Sequence, residues 1–413
     1  MRMNLLLENI DNPELLEQLY QESPSEFETH LKNSLENNTE SETLKVWGAR
    51  LSYRPPISQR KISLSLLVVL CLVTGIAAKI PAFSFIDGNW YYPRFIPLLV
   101  ICAPIIYFIK TIQPFGAIQK AISIGVLTYI AYLIVLPAKT DSASITMALI
   151  HIPLFSLSLL AMSFMSNNWK TTESRLGFIR YLGEMGIFTV LILLGWIVLA
   201  GLTVSLFSAI GFSIEKWYMN YVGVLGVVSS PIVATYIYDS VQDRESRFAP
   251  MLSNVFSPLF LITVVAYLGA TIYQGRSPFT DREFLITFNG LLLVVLAVTI
   301  FSVSGKVKTL QITALDYINI SLVGMTLLLN MVALCAIVFR WLEYGVTVNR
   351  IVVTGANILI FGNLVLLLKQ YIHHVKSGCG YEKLQETIAK YLPVYTAWSL
   401  FVAILLPVIF WFK

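Results

Sequence analysis

The chain has 413 residues, 56% of them hydrophobic and 13% charged, and its mean hydropathy is +0.71. Soluble domains carry about 25% charged residues, so the composition excludes an ordinary water-soluble fold. The net charge of +5 is dispersed among connecting segments, and no basic tract points to nucleic acid as a partner.

Residues 1–61 differ from the rest. They hold ten of the 24 acidic residues. Their start, "MRMNLLLENIDNPELLEQ", turns acidic at once and offers neither an apolar h-region nor a small-residue cleavage site. Asn12-Pro13 reads as a cap followed by proline at the first helical position. Ser23 and Glu26 have the spacing of a capping box. Phe27, Leu31 and Leu35 form one apolar stripe, and Leu44, Trp47 and Leu51 a third helix. The expectation is a small cytoplasmic helical cap. It is either docked on or loosely tethered to the membrane domain, or a docking module for a cytosolic protein.

From residue 62 onward, apolar stretches of about 20 residues recur, each able to cross a hydrocarbon core of about 30 Å. Eleven are expected, near 62–80, 92–109, 117–136, 142–165, 182–210, 219–238, 250–273, 283–303, 315–338, 349–368 and 394–411. The fold class is therefore an all-α polytopic transmembrane helix bundle. Pro97, Pro104, Pro153, Pro231, Pro258 and Pro407 fall inside spans, which requires neighbours to re-satisfy the freed backbone groups. With the N-terminus inside, cytoplasmic segments from Lys45 onward carry eighteen Lys and Arg and the opposite side nine. The positive-inside rule then gives a cytoplasmic N-terminus and an external C-terminus.

Ionisable residues within the spans are few. Glu184, Asp239 and Asp316 fall at cytoplasmic ends, with Arg180 one turn before Glu184 as its expected partner. His151 sits mid-span near Pro153, as a hydrogen-bonding group or a proton relay. Asn254, Asn289, Asn319, Asn330, Asn357 and Asn363 cluster in the last five spans. Interhelical hydrogen bonds account for them; a polar cavity lined by Asn289, Asn330 and Asn357 is the alternative. His373, His374 and Cys379 read as a helix terminus rather than a metal site. Cys71, Cys102 and Cys335 lie in apolar spans, so neither a disulfide framework nor a zinc site is expected. No P-loop, HExxH, GxSxG or dinucleotide motif is present, and no cofactor is expected.

Three short stretches are alike. "FSFIDGNWYY" (83–92), "FSIEKWYMNY" (212–221) and "RWLEYG" (340–345) each combine an acid with Trp and Tyr, four spans apart. They fit either a 4+4+3 arrangement of parallel repeats within 62–413 or the interfacial aromatic belt alone. In the third stretch, Gly345 is placed to turn the chain and Thr347 to cap the next helix. Arg350 then stands at a helix N-terminus, where the dipole disfavours a cation. Its expected partner is Glu343 or an external anion.

The segment "YGVTVNR" (344–350) resembles the YGLTxNR signature of an uncharacterised family of bacterial polytopic membrane proteins, described only as a domain of unknown function. Val346 stands where the signature has Leu. "SPFTDREFLITFNG" (277–290) and "YEKLQETIAKYLPVY" (381–395) resemble segments of its Bacteroidetes members. The resemblance covers most of residues 62–413 and implies a bacterial inner-membrane location. It brings no activity and no catalytic residue. The functional expectation is binding or translocation of a small anionic or envelope-precursor molecule by a protein surrounded by membrane lipids. The outer vestibule would use Arg276, Arg282, Arg340, Glu343, Tyr344, Asn349 and Arg350. The alternatives are a signalling or scaffold protein acting through residues 1–61, and a membrane-embedded enzyme on lipid-linked substrates. For the enzyme, Asp281 and Glu283 are the paired carboxylates at the outer face.

Overall fold

A computed structural model of the protein describes residues 9–10, 12–22, 27, 30–31, 33–34, 41–52, 64–111, 115–139, 141–241, 244, 247–274, 279, 282–305, 312–377 and 381–413. The chain divides into two compact units, Met1–Lys61 and Ile62–Lys413.

The first unit contains α1 (Pro13–Glu22) and α2 (Glu42–Ser52), with further helical residues around Phe27 and Leu31. Asn12 Oδ1 accepts from the Leu15 amide at 3.2 Å and Ser41 Oγ from the Leu44 amide at 3.4 Å, so both starts are side-chain capped. Leu16, Phe27, Leu31, Leu44 and Trp47 are buried together. The Tyr20 ring stands 5.7 Å from those of Phe27 and Trp47. Arg50 closes the cluster, 4.5 Å over Trp47 and 2.6 Å from Glu17. That hydrogen bond holds the Glu17 carboxyl below its usual range. Leu35 and the expected capping box at Ser23 and Glu26 lie outside the described residues.

The second unit is built of helices, with no strand among its described residues. It contains α3 (Leu64–Ala78), α4 (Gly88–Thr111), α5 (Ala117–Val135), α6 (Ala143–Met165), α7 (Thr172–Ala209), α8 (Glu215–Val241), α9 (Phe248–Gln274), α10 (Arg282–Gly305), α11 (Ala314–Tyr344), α12 (Val348–Ser377) and α13 (Tyr381–Ile409). Ten of these are long and apolar enough to cross a membrane; α3 is the shorter eleventh, continued after Lys79 by one turn, Ile80–Phe83. All eleven correspond to the expected spans. The starts of α7 and α13 differ, lying ten or more residues earlier. "TESRLGFIRYLGE" and "YEKLQETIAKYLP" carry charges that a hydropathy window reads as loop. Yet Leu176, Ile179, Leu384 and Ile388 are buried and pack together, so each is one amphipathic helix.

Helix α3 packs along α8 and α4, and α4 also lies against α6. Helices α9, α10 and α11 form a second group, and α12 packs between α11 and α13. Helix α7, at 38 residues about 57 Å long, touches members of both groups, as does α13. The C-terminal half of α7 presents Leu191, Leu194, Val198, Leu202 and Leu206 largely exposed. Exposed apolar belts of this kind suit a hydrocarbon solvent and not water.

The prolines within helices show how the interior satisfies its backbone. A proline cannot donate to the carbonyl four residues earlier. Pro231 frees Val227 O, which accepts from Ser230 Oγ at 2.8 Å. Pro393 frees Ala389 O, which accepts from Arg175 Nη1 at 3.0 Å. Pro407 frees Ala403 O, which accepts from the Tyr132 hydroxyl at 2.7 Å. The last two bonds join different helices, turning a local defect into a tertiary tie. Tyr132→Phe is expected to destabilise the bundle by about 1–3 kcal/mol, the cost of an unsatisfied buried carbonyl. Chemical or thermal unfolding in detergent checks this.

Candidate functional site

A dense polar cluster in the second unit lies at the bundle end carrying the α6–α7 and α8–α9 turns. The last residues of α8, Ile237–Val241, form a π-helical turn, a local widening frequent at functional sites. It directs three consecutive polar residues to neighbours. Tyr238 is 3% exposed with its ring 5.5 Å from that of Tyr181. Tyr107 of α4 donates to Asp239 Oδ2 at 2.9 Å, and its hydroxyl lies 3.0 Å from Ser240 Oγ. Arg244 Nε donates to the other Asp239 oxygen. The Asp239 side chain is 5% exposed, and its charge is neutralised within hydrogen-bond reach, as a carboxylate in such a place requires.

Arg244 is held by more than its charge. Its guanidinium lies 4.8 Å over the Phe164 ring and 5.7 Å over Phe108, a cation–π arrangement. The rings are themselves fixed: Phe164 stacks on Tyr181 at 5.0 Å, and Phe108 meets both edge-on. The Arg244 backbone is left-handed, with φ of 61°, as is Ser166, with φ of 50°, whose hydroxyl accepts from Gln119 Nε2 at 2.9 Å. A left-handed residue with a side chain costs about 1–2 kcal/mol, so surrounding contacts hold both turns in place.

Beside this cluster is a crevice of about 560 Å³. Phe164, Tyr238 and Arg244 form part of its wall, and Arg180, Ser174, Thr171, Asn168 and Glu173 supply polar groups. Arg180 is half-buried and has no hydrogen-bond or ion-pair partner among the described residues. The expected Arg180–Glu184 pair is corrected here. Glu184 is fully buried and accepts from the Ala249 amide at 2.7 Å. The first-turn N–H groups of α9 need an acceptor and favour an anion, so Glu184 serves that helix start and Arg180 faces the crevice.

The residues expected at an outer vestibule have other partners. Helix α11 runs to Tyr344, Gly345 has φ of 74°, and Thr347 Oγ1 accepts from the Arg350 amide at 3.4 Å, the expected turn and cap. Arg350 does not pair with Glu343. Its Nη1 donates to the carbonyls of Tyr344, at 3.0 Å, and Gly345. The negative end of α11 supplies the counter-charge and lies closer along the chain than Glu343. Arg340 Nε donates to Phe279 O at 3.2 Å. Tyr344, Glu343 and Asn349 are exposed. Arg276 and Asp281 lie outside the described residues, as does Cys379, and the Arg282 and Glu283 side chains are not described. "RWLEYG" closes α11, whereas "FSFIDGNWYY" and "FSIEKWYMNY" lead into α4 and α8.

Asn289, Asn330 and Asn357, the alternative lining of a polar cavity, are joined by interhelical hydrogen bonds. Asn357 Nδ2 donates to Asn289 Oδ1 at 3.0 Å, and Asn330 Nδ2 to Asn357 O at 3.1 Å, tying α10, α11 and α12. Asn319 Nδ2 reaches Ser302 Oγ and the Tyr371 hydroxyl, at 3.1 and 3.3 Å. His151 Nδ1 lies 2.9 Å from Met147 O, a contact within its own helix.

Tyr107, Asp239 and Arg244 were not joined by sequence reasoning. One signal was available: Asp239 ends a helix, where the dipole disfavours a carboxylate. That is the same argument that singled out Arg350.

Taken together, the exposed apolar belt, the eleven helices and the interior polar ties define a multi-pass α-helical membrane protein. Compared with protein-family models, with curated proteins and with solved structures, the chain finds no match.

Proposed function

We propose that the protein binds a small anion of the phosphate class in the crevice between α6, α7 and the end of α8. The observation that carries this reading is Arg180. It is a half-buried residue with no hydrogen-bond or ion-pair partner among the described residues, sharing the crevice with Arg244. A partly desolvated arginine is costly when unpaired, and its planar fork suits carboxylate or phosphate. Hydroxyls of Thr171 and Ser174 add donors. Because Arg244 is already engaged by Asp239, Arg180 supplies the free positive charge and Arg244 the preorganised wall. The excess of Lys and Arg on this side supports a cytoplasmic orientation, and the YGVTVNR resemblance supports a bacterial inner membrane. Binding at the end of a transmembrane bundle fits uptake, export or presentation of an anionic or envelope-precursor molecule.

Arg180→Gln is expected to weaken binding of inorganic phosphate by at least about tenfold, the loss of roughly 1.4 kcal/mol from one charged hydrogen bond. Lys216→Gln, at the start of α8, should leave it unchanged. Isothermal titration or ligand-dependent melting of the detergent-solubilised protein measures both. Equal affinity in wild type and Arg180→Gln would remove the reading.

A recruiting role for residues 1–61 is a second reading. It rests on their separate aromatic core around Phe27 and Trp47.

A further inference from the structure

A second feature lies on α4. Between α4 and α5 runs a groove of about 230 Å³, lined almost wholly by apolar side chains. Ile106 and Ile109 form one wall and Val126 and Leu127 the other, and Ile106 and Leu127 are exposed at its mouth. The groove occupies the same two turns of α4 that carry Tyr107 and Phe108 on their inward side. Residues 105–109 thus present Tyr107 to Asp239 and Phe108 to Arg244, and isoleucines to the groove. The start of α5 is tied to the crevice rim, because Gln119 donates to Ser166, next to Met165 and close to Asn168. One helix end therefore separates a cationic, hydroxyl-bearing crevice from an apolar groove open to the hydrocarbon side.

We infer that the ligand is an anionic phospholipid-like amphiphile, its phosphate held by Arg180 and Arg244 and an acyl chain laid in the α4–α5 groove. This rests on the anion-binding reading above and names its ligand class. A soluble phosphate needs the crevice alone and leaves the groove without a role. A zwitterionic lipid carries a cationic group that Arg180 and Arg244 would repel.

The test is melting of the full chain in mild detergent, titrated separately with dioleoyl phosphatidic acid, dioleoyl phosphatidylcholine, glycerol 3-phosphate and inorganic phosphate. Phosphatidic acid is expected to stabilise at concentrations at least about tenfold lower than glycerol 3-phosphate, and phosphatidylcholine to have no comparable effect. Val126→Trp, which fills the groove, should remove the advantage of phosphatidic acid while leaving the glycerol 3-phosphate titration unchanged. Arg180→Gln should remove both responses. If Val126→Trp does not fold, phosphatidic acid carrying a photoreactive group on its acyl chain replaces it. Labelling should then fall on α4 and α5 and be competed by phosphatidic acid but not by phosphatidylcholine. Glycerol 3-phosphate as potent as phosphatidic acid, or labelling confined to other helices, overturns the lipid inference and leaves anion binding standing. No response to any phosphate compound overturns both.

Discussion

Asp239→Asn is expected to destabilise the protein by about 3 kcal/mol. That is the lower end for removing one partner of a buried ion pair, chosen because the Arg244 side chain is 35% exposed and water offsets part of its loss. The substitution is nearly isosteric and leaves an oxygen to accept from Tyr107. What it removes is the negative charge facing Arg244. Arg244 sits on a left-handed backbone over two aromatic rings, so it can follow no partner without giving up those contacts. The double variant Asp239→Asn, Arg244→Gln should lose less than the sum of the single losses, with a coupling of about 1–3 kcal/mol. Unfolding in detergent across the four proteins gives the number, and strict additivity would mean the pair does not act as a unit.

Gly355→Val should be as damaging for a steric reason. A Cβ at Gly355 on α12 would overlap the Trp398 indole of α13. That ring stacks on Phe401 with centroids 5.4 Å apart, so it cannot rotate aside freely. The helices must separate or the indole must leave its place, at about 3 kcal/mol, the upper end for overpacking. Gly355→Ala should show a smaller part of the same loss. Combining Gly355→Val with Trp398→Leu should recover much of it, because the leucine side chain vacates the overlapping volume. A melting series on the four chains decides the matter. Loss without recovery in the double variant would place the damage in α12 itself.

How far the molecule was legible follows from the kind of signal each feature leaves. The eleven helices were legible because a hydrocarbon solvent demands long apolar runs, and these appear directly in the residues. Short-range features were legible too: the Asn12 cap, the Gly345 turn and the Thr347 cap each depend on residues within a few positions. The Asn289–Asn330–Asn357 cluster could be named because asparagine within apolar spans is rare enough to stand out. The early starts of α7 and α13 were hidden, since Arg175 or Lys383 lowers local hydropathy while the buried face is visible only in register. The partner of Arg350 was misread because backbone carbonyls have no letter of their own in a sequence. The same holds for Arg175 and Tyr132, whose acceptors are carbonyls freed by Pro393 and Pro407. The crevice and the cluster beside it draw on Tyr107, Phe164, Arg180, Tyr238 and Arg244 from four helices and a turn. Only the packing of α4 against α6 and α8 brings them together.

The central claim is that Arg180 and Arg244 hold an anion at the α6–α7 end of the bundle. The most direct measurement locates a heavy anion, tungstate at low millimolar concentration, by anomalous diffraction or high-resolution cryo-electron microscopy of the intact protein. The account predicts density between the two guanidinium groups, beside Ser174 and Thr171, that disappears in Arg180→Gln. Density only at the Arg340–Arg350 turn, or none at either place, would contradict it.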